Sequence, residues 1–340
     1  MMSSQSKRKF SPTFGLLFST INKNAGVIIL MSLAMLIFCP GIFLTTLSKS
    51  EFNQADAYTL PEYLDILYGV TGVVSCVLIC VCNYVNLAYL YKKQSSDVFH
   101  SLPLTRAQLL FSRVAAGFIG VLIPVTLGYA SLSVLSFFYP TYAIGTLSQI
   151  ASAYLVNILY MLAASAYSLI FIIGAGSAFD LILSFFGFNT AVLVVGGIIH
   201  ALCDRYLSGY SSAFTGIMRI VSPVYFLGEK AALFAIDNVY SLPKSEDVVF
   251  AAIIFAAVFF AISAILYNFR KAERGGQAYA YKFIYIICAV LAGICGGYAL
   301  SEIFVLSADT KELSPIGIIF FIVGAIITTV VYGAVTNRGF

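Results

Sequence analysis

The chain has 340 residues, of which 60% are hydrophobic and 10% charged, with a mean hydropathy of +0.95 and a formal charge of +4. Soluble domains carry roughly 25% charged residues, so this composition cannot cover a water-exposed surface and excludes a soluble catalytic domain. The small positive balance, sorted by position below, is a topology signal and not a nucleic-acid footprint.

The first segment, residues 1–24, reads as a cytoplasmic amphipathic stretch. Phe10, Phe14, Leu17, Phe18 and Ile21 recur at helical spacing behind Ser11 and Pro12, which suit a cap and a first helical position. That pattern predicts a helix lying in the membrane interface; a frayed terminus is the plain alternative. The apolar run that follows is too long and too far into the chain for a secretory signal peptide, so it reads as a retained first span.

Crossing about 30 Å of hydrocarbon takes roughly 20 apolar residues of helix. Eight stretches qualify: Ala25 to Leu47, Ile66 to Leu90, Leu109 to Phe138, Leu147 to Ile173, Ala178 to Leu202, Val248 to Phe269, Phe283 to Leu300 and Pro315 to Val335. They are continuously apolar, whereas barrel strands alternate, so an all-α integral membrane protein with about eight spans is expected. With the N-terminus inside, thirteen Lys and Arg but only Asp97, Asp180 and Glu273 fall on the cytoplasmic side, and the other twelve acidic residues fall outside. This bias puts both termini in the cytoplasm.

The outer face receives an acidic loop at 48–65 and a longer segment at 203–247, weakly amphipathic over Ala213 to Ile236. Six of the seven cysteines sit in expected spans, and Cys203 lies near the outer face, so no disulfide framework or zinc spacing emerges. Polar residues within the spans are few and mild, chiefly Asn83, Asn86 and Asn157. No span centre holds an ionisable residue, which argues against an ion-coupled carrier. Asp180 and His200 fall near the ends of the fifth span, where helix-end solvation is the plain reading. Gly293 with Gly297, and Ala116 with Gly120, are spaced for close helix packing, within one bundle or across a dimer.

The loop 91–108 between spans two and three reads differently. Ser95 or Ser96 suits the cap of a short helix carrying Asp97 in its first turn, and Pro103 ends it. Thr105 suits the N-cap of the third span, with Gln108 completing a capping box. The short helix is expected to expose Val98, Phe99 and Leu102 beside Asp97, His100 and Arg106. Such a mixture fits a groove on a partner or a passive turn on lipid.

The run Ser96-Asp97-Val98-Phe99-His100-Ser101-Leu102-Pro103-Leu104-Thr105-Arg106 resembles the coupling-helix loop of ABC-2 type permeases, in the branch found in Gram-positive bacteria. The later run Leu266 to Gly276 is similar to that branch's basic segment after the sixth span. The resemblance implies a core at 25–269, with two additional spans in 270–340. It also implies a separate cytosolic ABC ATPase gripping the coupling helix, with Asp97, Val98, Phe99, His100, Leu102, Pro103 and Arg106 as the contact. Phe99 and Leu102 would be apolar anchors and Arg106 a rim contact. Arg106 and Arg113 are equally explained by topology, and Arg270 to Arg274 by anchoring to headgroups.

The sequence has no GxxxxGK(S/T) loop, so it lacks the backbone cradle and lysine that hold ATP phosphates. No catalytic residue, metal set or cofactor is expected. The implied protein is the permease subunit of an exporter in the bacterial plasma membrane, working as a homodimer or with a second similar permease. Besides the ATPase its partners are membrane lipids, and not nucleic acid. A secondary carrier or channel is the alternative. An intramembrane enzyme is poorly supplied, because the only histidines, His100 and His200, fall on opposite faces. With 22 Tyr and 29 Phe in the chain, an amphipathic or lipid-like cargo is expected over a small ion.

Overall fold

A computed structural model of the chain describes residues 12–52, 60–138, 147–207, 245–271, 279–308 and 315–337. Among these, the regular structure is helical: α1 (Pro12–Lys23), α2 (Ala25–Phe52), α3 (Leu60–Leu87), α4 (Lys93–His100), α5 (Arg106–Phe138), α6 (Leu147–Gly174), α7 (Ala178–Tyr206), α8 (Ser245–Phe269), α9 (Lys282–Ala308) and α10 (Pro315–Asn337). Phe10, Ser11, most of the outer segment 203–247, and Glu273 and Arg274 lie outside the described residues.

Among the described residues, seven helices are individually long and apolar enough to cross a membrane, beginning with Gly69–Tyr91 and ending with Ile316–Thr336. An eighth run is bent: Thr13–Lys23 and Ala25–Gly41 meet at 60°. The bend sits at Asn24, whose amide is shared between the carbonyls of Thr20 and Ile21 at 3.2 and 3.1 Å. Pro12 opens α1 as its sequence predicts, with Phe14 and Phe18 on the exposed side and Thr20 buried. The helices outrun their apolar windows. α2 continues through Glu51 to Phe52 and α3 begins at Leu60, six residues before the expected start. Much of the expected loop 48–65 is therefore helix, because backbone hydrogen bonding does not stop where hydrophobicity does.

The surface settles the solvent. Large apolar side chains line the outside of every long helix, and on α10 only 6% of the apolar window is buried. Leaving a Val, Leu, Ile or Phe in water forfeits about 1.5–3 kcal/mol each. Fewer than about ten such residues would cancel a whole domain's stability of about 5–15 kcal/mol. The chain is a multi-pass, all-α membrane protein.

The chain forms two compact units. In the first (1–89, 94–170 and 228–269), α5 packs on α1, α2, α3 and α8. Small residues allow the approach: a Cβ on Gly120 would lie 3.3 Å from Ile28 Cδ1, and one on Gly128 3.0 Å from Cys39 Sγ. Polar residues of α3 face inward. Ser75 donates to Asn157 Oδ1 at 2.6 Å, and Asn83 Nδ2 donates to Ser165 Oγ at 2.9 Å. In lipid such bonds join helices that have little hydrophobic reason to associate.

In the second unit (90–93, 171–227 and 270–340), α9 packs on α10 and α7. Here Gly293 and Gly297 serve packing within the chain. A Cβ on Gly293 would come 2.7 Å from Thr329 Oγ1, and one on Gly297 2.7 Å from the Phe321 carbonyl.

Candidate functional site

α3 ends in a 3-10 turn over Ala88–Tyr91, and the eight residues of α4 follow. The helix begins at Lys93, ahead of both serines expected to cap it. Ser96 lies within the helix and is buried, so it packs and does not cap. Past His100 the chain tightens: the Ser101 amide donates to the Asp97 carbonyl at 3.0 Å, and the Leu104 amide to that of Leu102 at 2.7 Å, around Pro103.

The expected capping box is formed. The Thr105 amide donates to Gln108 Oε1 at 3.0 Å, and the Gln108 amide donates to Thr105 Oγ1 at 3.3 Å. These reciprocal bonds set where α5 starts, and with it the angle at which α4 leaves the bundle. Thr105→Ala is expected to cost about 1 kcal/mol, as N-cap losses do. Hydrogen exchange should then rise in the first turn of α5 and stay unchanged in α9.

The structure divides the candidate residues into an outer and an inner set. Asp97, Val98, Pro103 and Arg106 are exposed, with Val98 at 64%. Leu102 is half-buried, and the side chain of His100 lies outside the described set. Phe99 differs from its expected exposure. It is half-buried, its ring centroid 4.6 Å from that of Tyr89 and 4.4 Å from Arg113 Cζ. The reason is physical: eight residues cannot sustain a helix alone, so α4 needs a side chain turned into the bundle. Phe99 is that side chain.

Arg106 also has an internal role. Its Nη1 donates to the Asn268 carbonyl at 2.6 Å, at the C-terminal and negative end of α8. Arg113, which charge counting reads as a topology residue, is 8% exposed beneath Phe99, with Tyr89 on another side at 5.6 Å. Tyr89 and Tyr267 share a hydroxyl hydrogen bond of 2.7 Å. Asn86 ties this cluster to the α1–α2 bend: its Nδ2 donates to the Arg113 carbonyl at 3.2 Å and its Oδ1 accepts from Asn24 at 2.7 Å. Gly117 makes the room, since a Cβ there would lie 2.9 Å from Asn86 Nδ2. The sequence signal for this linkage was present in the two asparagines on one face of α3, but their partners are remote in sequence.

In the second unit, Arg270 departs from the expected headgroup anchor. It is 4% exposed and donates to the carbonyls of Leu90 and Ala175, each at 3.0 Å, and of Ile172 and Ile173. Tyr91 adds a 3.0 Å bond to the Ile172 carbonyl. The guanidinium thus satisfies the orphan carbonyls that end α6, where a cation is also favoured by the helix dipole. Arg270→Met is expected to cost roughly 3 kcal/mol or more, at about 1.5–3 kcal/mol for each charged hydrogen bond lost. A lower thermal midpoint of the purified protein would register it.

Asp180 is likewise buried, not solvated at a helix end. It sits in the first turn of α7, its amide donating to Ser177 Oγ at 3.2 Å and its carboxylate accepting from that hydroxyl. A negative charge is favoured at that helix end. Among the described residues, no three His, Cys, Asp or Glu side chains gather as a metal site.

Comparison of the chain with known protein families, with curated proteins and with solved structures finds no match. The functional reading therefore rests on the residues of the α4 loop and their geometry.

Proposed function

We propose that this chain is the membrane-spanning permease subunit of an ATP-driven ABC transporter of the ABC-2 type, an exporter coupled to a separate cytosolic ATPase through α4. The observation that carries the reading is a short helix pinned to the bundle at both ends of its loop, with an outward face of Asp97, Val98 and Pro103. A helix that receives force from a partner must be stiffly joined to what it moves. Phe99 on Arg113 and Tyr89, the Thr105–Gln108 box and the Arg106 bond to α8 supply that stiffness. In this reading ATP is hydrolysed by a second polypeptide, and a sequence without a phosphate-binding GxxxxGK(S/T) loop is consistent with that division.

In this reading both termini are cytoplasmic, the membrane is the bacterial plasma membrane, and the permease works as a homodimer or beside a similar chain. The six-span core is extended by α9 and α10. Cargo is amphipathic or lipid-like. The test is affinity purification of the full-length protein from membranes solubilised in mild detergent. A Walker-containing ATPase should co-purify in near-stoichiometric amount. A folded protein that transports alone, driven by an ion gradient and without such an ATPase, would overturn the proposal in favour of a secondary carrier.

A further inference from the structure

Asn24 alone separates α1 from α2, and the two helices meet there at 60°. Sharp kinks commonly trace to a proline, and none lies between Thr20 and Ile28. Backbone bonding runs across the joint instead. The Asn24 amide reaches the carbonyls of both Thr20 and Ile21, and the Ile28 amide donates to the Asn24 carbonyl at 3.0 Å. A bond to Thr20 is the α-helical one and a bond to Ile21 the tighter 3-10 one, so the shared amide stands between two backbone arrangements. The contact that holds it there comes from another helix: Asn24 Nδ2 donates to Asn86 Oδ1 at 2.7 Å.

Asn86 is 4% exposed and serves a second site at the same time, its Nδ2 donating to the Arg113 carbonyl at 3.2 Å. On that turn of α5, the guanidinium of Arg113 lies 4.4 Å from the ring of Phe99, the side chain that seats α4 on the bundle. Tyr89, three residues after Asn86, meets the same ring at 4.6 Å. Asn86 has little room to shift, since a Cβ on Gly117 would already lie 2.9 Å from its Nδ2. An amide buried away from water has no substitute for its partners, so movement at one site strains or breaks the bond at the other.

We propose that Asn86 is a latch that couples the angle of the α1–α2 joint to the seating of α4. Displacing α4 moves Phe99 and with it the Arg113 turn, which draws Asn86 off Asn24 and lets the joint change its backbone arrangement. Coupling of this kind is a free energy shared by the two sites, so it acts equally in the opposite direction. It gives α1, whose Phe14 and Phe18 face outward, a mechanical link to α4. The latch rests on the geometry of the first unit alone and holds whatever partner grips α4.

Hydrogen exchange of the full-length protein in nanodiscs reads both sites. Asn24→Ala removes the side-chain bond of the joint, and alanine favours an unbroken helix. The amides of α4, at the other end of the latch, should then exchange roughly fivefold faster, the change expected of about one hydrogen bond. Phe99→Leu unseats α4 and should accelerate the amides of residues 24–28 by a similar factor. Gly117→Ala lies at neither site but crowds Asn86, and should accelerate both. Ser75→Ala is the control: it removes a different bond of α3, to Asn157 Oδ1 at 2.6 Å, and should leave both sites unchanged. Unchanged α4 exchange in a folded Asn24→Ala protein overturns the proposal. So does equal acceleration by Ser75→Ala, which would mark a general loosening of the bundle. Where Asn24→Ala fails to fold, Phe99→Leu decides, because faster exchange in α4 with an unchanged joint overturns the coupling as well.

Discussion

Val98→Asp is expected to lower recovery of the partner ATPase at least tenfold while leaving the amount of inserted, monodisperse protein unchanged. Val98 is 64% exposed, so its replacement costs the fold little. In a docked complex the same position would be desolvated, and fully burying a Val side chain is worth about 1.5–3 kcal/mol. Tenfold corresponds to about 1.4 kcal/mol, so loss of the anchor alone reaches that threshold, before the cost of burying a carboxylate beside Asp97. Phe99→Asp should behave differently. Its ring holds α4 to Arg113 and Tyr89, so its loss should release the loop and increase hydrogen exchange over α4 as well as weaken ATPase binding. Pull-down yield and exchange, measured on the two variants side by side, separate a docking residue from an internal one.

Gly296→Val is expected to produce a large loss of stability in the second unit. Any Cβ at Gly296 would overlap the side chain of Thr328, and the facing Gly324 would bring its own Cβ within 2.7 Å of the Gly296 carbonyl. Neither side can yield cheaply. Thr328 is β-branched, and its hydroxyl already donates to the Gly324 carbonyl at 2.8 Å, so α9 and α10 must separate. Overpacking costs about 1–3 kcal/mol where rotamers can adjust, and this contact stands at or above the upper end. Gly187→Ala is the control: no atom lies within 4 Å of a Cβ there, and an alanine in a helix gains about 0.5–1 kcal/mol over glycine. Thermal unfolding in detergent should show a lower midpoint for the first variant and an equal or higher one for the second.

These expectations show which features were legible from residue order. Local rules worked. Pro12 opening α1, the break before Ala25 and the reciprocal Thr105–Gln108 bonds all depend on residues within four positions of one another. The spans were legible because lipid demands about 20 apolar residues whatever surrounds them. Helix ends were less so, since α3 begins at Leu60 and includes Glu62 and Asp65, where nothing in hydropathy requires a helix.

The candidate site was half legible. The short helix before Pro103 and the Thr105–Gln108 box were visible, but the start at Lys93 and the inward turn of Phe99 were not, because eight residues cannot show which face the bundle will take. Charge counting failed for a related reason. It assigns Arg113 and Arg270 to a side of the membrane, yet says nothing of where a long side chain carries its guanidinium. Both are buried, one under an aromatic ring and the other on the carbonyls ending α6. Asp180 shows the same limit, as the Ser177 hydroxyl donates to its carboxylate inside the fold.

The central claim, that α4 is where a separate ATPase grips this protein, meets its most direct test in site-specific photocrosslinking. A photoreactive amino acid replaces Val98 in the full-length chain, and membranes are irradiated in cells that express the native partners. One dominant adduct is expected, a Walker-containing ATPase, whose yield falls when Leu102→Asp is combined with the probe. Adducts to lipid alone, with the ATPase absent at every probe position from Asp97 to Pro103, would contradict it.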